Sequence, residues 1–219
     1  MRPQNKVNCN WSSDLAYAVG LLVTDGALSV DGRHINFTSG DLDLIETFRD
    51  CLKIQNKIGI KVSGFTGKKD CYQIQFGDIS FYKFLTGIGL KPNKSRTLGR
   101  LSVPSQVFAH FVRGCFDGDG TIYAYWDRRW RNSWMFYVCF ASASPIFLNW
   151  LKKRIKELLG ASGYIGYGSH NTLQLKYSKH EARTLLTVMY KNPVVPRLAR
   201  KYNKALAILA QDPYPIRAR

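Results

Sequence analysis

A chain of 219 residues, 45% of them hydrophobic, can bury one compact core or two of about 110 residues each, which excludes a disordered chain. Its 32 Lys and Arg against 15 Asp and Glu leave a formal charge of +17, so a polyanion is the expected partner. No run of about eighteen apolar residues is present and the first residues lack a signal peptide's apolar stretch, so an intracellular protein with no membrane partner is expected. Five scattered cysteines (Cys9, Cys51, Cys71, Cys115, Cys139) without a C-x-x-C argue against a zinc site or a disulfide framework.

In chain order, Ser12 or Ser13 can cap a first helix whose apolar face is Leu15, Ala18, Val19, Leu22 and Val23. Residues 27–30 and 33–38, joined at Asp31-Gly32, read as a hairpin with Leu28, Val30, Ile35 and Phe37 on one face. A helix from Gly40-Asp41 through Leu52 follows, then strands over 57–63 and 71–77 around a basic tip, then a short helix over 79–88. After a join near 98–105, Ser105 can open a helix with Val107, Phe108, Phe111, Val112, Cys115 and Phe116 as its apolar positions. Strands over 121–126 and 134–141, a helix over 145–159, strands near Tyr164 and over 172–177, and a helix over 179–190 complete the chain. The order α-β-β-α-β-β-α thus occurs twice, an α/β architecture with halves at 1–100 and 101–219.

Two segments carry the chemistry of this duplication. Ala18-Val-Gly-Leu-Leu-Val-Thr-Asp25-Gly26 and Val112-Arg-Gly-Cys-Phe-Asp-Gly-Asp119-Gly120 each place a Gly five residues before an Asp-Gly. Gly20 and Gly114 stand mid-helix, where Gly costs about 1 kcal/mol relative to Ala, a cost that close approach of two helix backbones would explain. Gly26 and Gly120 are natural helix terminators, able to take positive φ. Asp25 and Asp119 then fall at helix C-termini, where the macrodipole disfavours a carboxylate, and paired helices would set the two acids against each other. A divalent cation removes both penalties, and an oxygen-only ligand set suits Mg2+ or Mn2+ with no organic cofactor.

With these residues the chain resembles the LAGLIDADG homing endonucleases in their single-chain, two-motif form, departing at Val23 and at Val112-Arg113 but not at either acid. The resemblance implies two antiparallel saddle-like sheets related by a pseudo-twofold axis, with the motif helices at the interface. It also implies a monomeric, metal-dependent, site-specific endonuclease of intron-homing type that cuts double-stranded DNA at a long non-palindromic target and leaves 3′ extensions. The catalytic residues it implies are Asp25 and Asp119 with Lys94 and Lys201 beside them, the metal ligands being both acids and the backbone at Thr24 and Gly118. Two alternatives share the scaffold: a maturase that binds intron RNA, and a DNA-binding regulator that does not cleave.

A two-stranded antiparallel ribbon fits the major groove, and Asn, Gln and Arg side chains make bidentate base contacts there. The expected DNA-facing residues of the first half are Ser29, Asp31, Arg33, His34, Asn36, Lys61, Ser63, Lys68, Lys69, Gln73 and Gln75. Those of the second are Tyr123, Tyr125, Arg128, Arg129, Arg131, Asn171, Gln174 and Lys176.

Overall fold

The structure, a computed structural model, describes residues 6–62, 67, 71–129, 133–168, 172–192 and 194–212. Helix α1 (Ser13–Thr24) starts where the Ser12 Oγ accepts a hydrogen bond from the Leu15 N–H at 3.1 Å. It leads into strands β1 (Gly26–Leu28) and β2 (His34–Ser39), helix α2 (Leu42–Leu52), strands β3 (Ile58–Lys61) and β4 (Cys71–Gly77), and helix α3 (Ile79–Gly87). A 3-10 turn (Ser105–Val107) then opens α4 (Phe108–Asp119), followed by β5 (Thr121–Trp126), β6 (Trp134–Ser142), α5 (Pro145–Leu159), β7 (Tyr164–Tyr167), β8 (Leu173–Ser178), α6 (Lys179–Tyr190) and α7 (Ala199–Ala210).

The strands form two four-stranded antiparallel sheets of identical order, β1-β2-β4-β3 and β5-β6-β8-β7. Alternation sorts their residues by face. Ile35, Phe37, Ile74 and Phe76 of the first sheet, and Ile122, Phe136, Val138, Leu175 and Tyr177 of the second, are buried beneath α2 and α3 or α5 and α6. The opposite faces carry the polar side chains.

Helices α1 and α4 make the most extensive contact between any two elements of the described residues. A Cβ on Gly20 would lie 2.3 Å from the Phe111 carbonyl oxygen, and one on Gly114 would lie 2.2 Å from the Tyr17 carbonyl oxygen. Only glycine at both positions lets the two backbones touch. Because α1 also packs on α2 and β1, every residue from Leu15 to Val23 is buried, not one face alone. The α4 side of the contact holds a buried polar network. Asp117 accepts from the Tyr17 hydroxyl at 2.8 Å, the Tyr190 hydroxyl at 2.6 Å and the Leu198 N–H at 2.8 Å. Arg113 donates to the carbonyls of Pro196 and Met189 and lies over the Tyr17 ring. Each of these buried groups is thus hydrogen-bonded, which reduces the large penalty of leaving it bare, although burial still raises the Asp117 carboxyl.

Four expectations from the sequence are corrected. Gly26 and Gly120 do not adopt positive φ: Gly26 begins β1, and Gly120 is extended at φ −71°, ψ 151°. Both are needed for space, since a Cβ on Gly26 would lie 2.6 Å from the Leu22 Cα and one on Gly120 would lie 2.5 Å from the Phe116 carbonyl oxygen. Val30 does not join the buried row; it lies past the end of β1 and is 83% exposed. Ser105 opens a 3-10 turn without capping it, and its Oγ accepts from Arg154 instead. Beyond α6, the chain re-forms a helix, α7, tied to the start of α2 by a two-bond pair between Arg200 and Asp41 (2.8 and 2.6 Å).

Gly20→Ala or Gly114→Ala should lower stability by about 3 kcal/mol, because the added methyl meets backbone that cannot move aside. Gly87→Ala, where no atom lies within 4 Å of the added carbon, should instead stabilise by about 0.5 kcal/mol. Urea unfolding midpoints measure both, and a neutral Gly20→Ala would contradict the backbone contact.

Candidate active site and nucleic-acid interface

The close approach of α1 and α4 brings their C-terminal ends together. Asp25 caps α1, its N–H donating to the Leu21 carbonyl at 3.0 Å, and Asp119 is the last residue of α4. A Cβ on Gly118 would lie 2.0 Å from Thr24 Oγ1 and 2.7 Å from Asp25 Oδ2, so the Asp25 carboxylate rests against the backbone of the opposite motif. Thr24 Oγ1 reaches both the Leu21 carbonyl (2.9 Å) and Asp25 Oδ2 (3.2 Å). Burial, and then the charge of Asp119, push the Asp25 carboxyl up to about 7. Burial also raises Asp119, against the opposing pull of Lys201 and Lys94.

Both lysines converge on this point. Lys94, in the turn after α3, donates its Nζ to the carbonyls of Thr24 (3.3 Å) and Gly26. Lys201, in the first turn of α7, donates to the carbonyls of Phe116 (2.7 Å), Asp117 (2.9 Å), Gly118 (2.8 Å) and Gly120 (2.7 Å). Each ammonium therefore caps one motif helix at its negative end, where the last carbonyls lack intrahelical partners. Burial lowers both lysines, Lys201 to about 8. Lys94, Thr24 and Asp119 line a cavity of about 280 Å3 together with Ser142 and Thr172. Lys201 is only 7% exposed. The capping role of the lysines was missed from sequence, since nothing in the residues around Lys201 announced α7.

The donor set at the acids is two carboxylates and backbone carbonyls, all oxygen, and it fits a hard divalent cation that keeps waters or takes phosphate oxygens. Among the described residues no group of three or more His, Cys, Asp or Glu side chains could hold a metal ion. The carbonyls of Thr24 and Gly118, expected as ligands, each already accept a lysine hydrogen bond.

The outer faces of the sheets lie beside the acids. On the first, cross-strand registry lines up Ala27, Asn36 and Gln75 in one row and Thr38, Gln73 and Gly59 in the next, with Lys61 beyond. The hairpin before β2 is held by Asp31, whose Oδ1 accepts from the N–H groups of Arg33 and His34, both at 3.0 Å, while its other oxygen pairs with the His34 ring. Ser29 gives its carbonyl to the Tyr82 hydroxyl, and the exposed Arg33 packs on Gly77. On the second sheet, Thr121, Cys139, Lys176 and Tyr164 form one row, and Tyr123 and Tyr137 are neighbours in the next. Tyr137, absent from the expected set, stacks on Tyr123 (5.2 Å) and Tyr125 (6.1 Å), and Lys176 Nζ lies 5.8 Å from the Tyr123 and Tyr137 rings. Gln174 pairs across to Ala141. Arg129 folds back on Asp127 at the exposed tip beside Arg128. Ser63, Lys68, Lys69, Arg131 and Asn171 lie outside the described residues.

Lys201→Met should cost about 3 kcal/mol of stability, because four carbonyls at the end of α4 lose their donor in a buried place. Lys94→Met, with two carbonyls beside an open cavity, should cost about 1 kcal/mol or less. Equal costs in urea titrations would contradict the difference between the two caps.

No family model and no curated protein sequence matches the chain. Solved structures do match. The LAGLIDADG meganuclease I-AabMI bound to uncleaved DNA aligns with a TM-score of 0.62 at 13% identity, over 89% of this chain and 88% of that one. I-DmoI in complex with DNA and Mn aligns at 0.55 and 16% identity, over 84% of this chain and 99% of that one. Full-length DUF199/WhiA from Thermatoga maritima aligns at 0.54 and 17% identity over 91% of this chain, which spans 63% of that protein. The chain has the LAGLIDADG fold, with its two four-stranded antiparallel sheets and paired motif helices.

Proposed function

We propose that this chain is a site-specific DNA endonuclease, binding a duplex across its two polar sheet faces and hydrolysing it at Asp25 and Asp119. The observation that carries this reading is the convergence of two carboxylates, half-buried Asp25 and more exposed Asp119, and two lysines at the adjoining ends of α1 and α4. Two acids set close enough that the charge of one makes ionisation of the other costlier are poor for stability and suited to sharing positive charge. Solved structures of the same fold that contain target DNA, and others with Mn or Ca, support the choice of partner and cofactor.

In this reading Asp25 and Asp119 are the residues that would hold Mg2+ or Mn2+. A divalent cation there supplies Lewis-acid polarisation of the scissile phosphate and lowers the pKa of an attacking water. Lys94, beside Asp119 in the cavity, places positive charge where the phosphorane gains negative charge, a contribution made in the transition state. Lys201 fixes the end of α4 and so the position of Asp119. Asn36, Gln73 and Gln75 offer amide edges to bases in one half-site, whereas Tyr123, Tyr125, Tyr137 and Lys176 offer hydroxyls, ring edges and charge in the other. One chain carries both acids, so a monomer suffices and the halves should prefer different sequences.

A second reading, DNA binding without cleavage, is favoured by one feature: the lysines already satisfy the carbonyls around both acids. Asp25→Asn and Asp119→Asn separate the two readings. Under the nuclease reading each variant loses cutting of both strands, by about a thousandfold or more, while duplex affinity stays within a few-fold of the wild type. Wild-type protein that binds a duplex yet never cuts it in Mg2+ or Mn2+ supports the second reading.

The acids also make stability fall with pH in chelator. A carboxyl whose pKa is higher folded than unfolded binds more protons when folded, so its contribution to stability declines as pH rises between the two values. For Asp25 that window runs from the ordinary 3.8 to about 7. Asp25→Asn should therefore melt above the wild type at pH 8, with the gap narrowing towards pH 4 in thermal scans. A gap that widens on acidification would contradict the buried, raised carboxyl.

A further inference from the structure

Lys94 and Lys201 occupy matching places around the two acids. Lys94 holds the carbonyls of Thr24 and Gly26, the residues on either side of Asp25. Lys201 holds those of Gly118 and Gly120, on either side of Asp119, and adds Phe116 and Asp117. Each helix end that offers a carboxylate to a cation thus already has a cation of its own, clasping the neighbouring carbonyl oxygens. A carbonyl held by an ammonium is a poor ligand for a second cation, because the two positive charges would then lie within a few ångströms of each other.

The two lysines differ in how firmly they are held. Lys201 shares its three N–H groups among four carbonyls within hydrogen-bond distance and is buried, so it has nowhere to go. Lys94 makes two hydrogen bonds, and its side chain borders the cavity shared with Asp119, Ser142 and Thr172. That cavity, about 280 Å3, can accept a displaced ammonium.

We propose that Lys94 is an internal stand-in for the divalent cation: it holds the Thr24 and Gly26 carbonyls while the acids are metal-free, and swings into the cavity when a cation loads. The proposal rests on the reading of Asp25 and Asp119 as the cation site. It makes loading a competition, so the residue best placed to assist catalysis also weakens cation binding. Removing its charge should tighten binding even as cleavage is lost, the opposite of what a ligand or a merely structural residue would show. It also turns the loaded lysine towards the space a scissile phosphate would enter.

The test is a Mn2+ titration of the full chain, read from the loss of the free-ion electron paramagnetic resonance signal. Lys94→Met should bind Mn2+ about tenfold more tightly than the wild type. Lys94→Gln, which keeps a donor without the charge, should tighten binding to a similar degree and covers the case in which the methionine variant does not fold. Lys94→Arg, which keeps the charge, should stay within about twofold of the wild type. Neutral variants that bind Mn2+ no more tightly than the wild type overturn the proposal. The Asp25→Asn, Asp119→Asn double variant guards the underlying reading. If it binds Mn2+ as the wild type does, the cation sits elsewhere and the site assignment itself fails, whatever the Lys94 variants show.

Discussion

The contact of α1 with α4 at Gly20 and Gly114 is the constraint on which the rest of this molecule depends. Two helix backbones can meet only where neither carries a side chain, and here the carbonyls of Tyr17 and Phe111 fill the places where the two Cβ atoms would be. That contact fixes the separation and register of the helices, and both end one turn and a half later in an acid. Asp25 then has no choice but to lie against the Gly118 backbone, close to Asp119. The two sheets follow from the same geometry, since β1 begins at the residue after Asp25 and β5 two residues after Asp119.

Such an arrangement is costly in the absence of a counter-charge. Carboxylates at helix C-termini oppose the macrodipole, and two of them together oppose each other. The chain offsets this with ammonium groups on the same helix ends, Lys201 buried and Lys94 half-buried, and with a carboxyl on Asp25 that is pushed up towards neutral pH. Asp117, two residues before Asp119, solves its own burial differently, through two tyrosine hydroxyls and a backbone N–H. It locks α4 to α1, α6 and the segment entering α7, so Asp119 stands at the end of an anchored helix while Asp117 serves the core.

Much of this was legible in the residues. Where one face of an element is buried and its ends carry ordinary signals, periodicity sufficed: residues 145–159 and 179–190 coincide with α5 and α6, and 121–126 with β5. The glycines at 20 and 114 announced the helix contact through the cost they impose. What failed had physical reasons. Gly26 and Gly120 resemble glycines that take positive φ, yet their role is room beside Leu22 and Phe116, a tertiary matter that the local sequence does not encode. Helix α7 lies beyond the helix over 179–190 at which the reading of the residues stopped, and with it the caps on the second motif were lost. Tyr137 looked like one residue in an apolar run of β6, and only cross-strand registry with Tyr123 places it on the outer face.

The two outer faces are built from different chemistry on the same frame. Amides dominate the first, and stacked tyrosines with one lysine the second, although both rows begin at the residue after an acid and its glycine. Under the proposed function, one chain would read an asymmetric duplex with these two faces. The most direct measurement is therefore to incubate the wild-type protein and Mg2+ with a randomised library of duplex DNA and to map both strands of every cut end. The account predicts double-strand cuts with short 3′ extensions at one family of long, non-palindromic sites. Duplexes that are retained by the protein but remain uncut in Mg2+ and Mn2+, or cuts centred on a perfect palindrome, would contradict it.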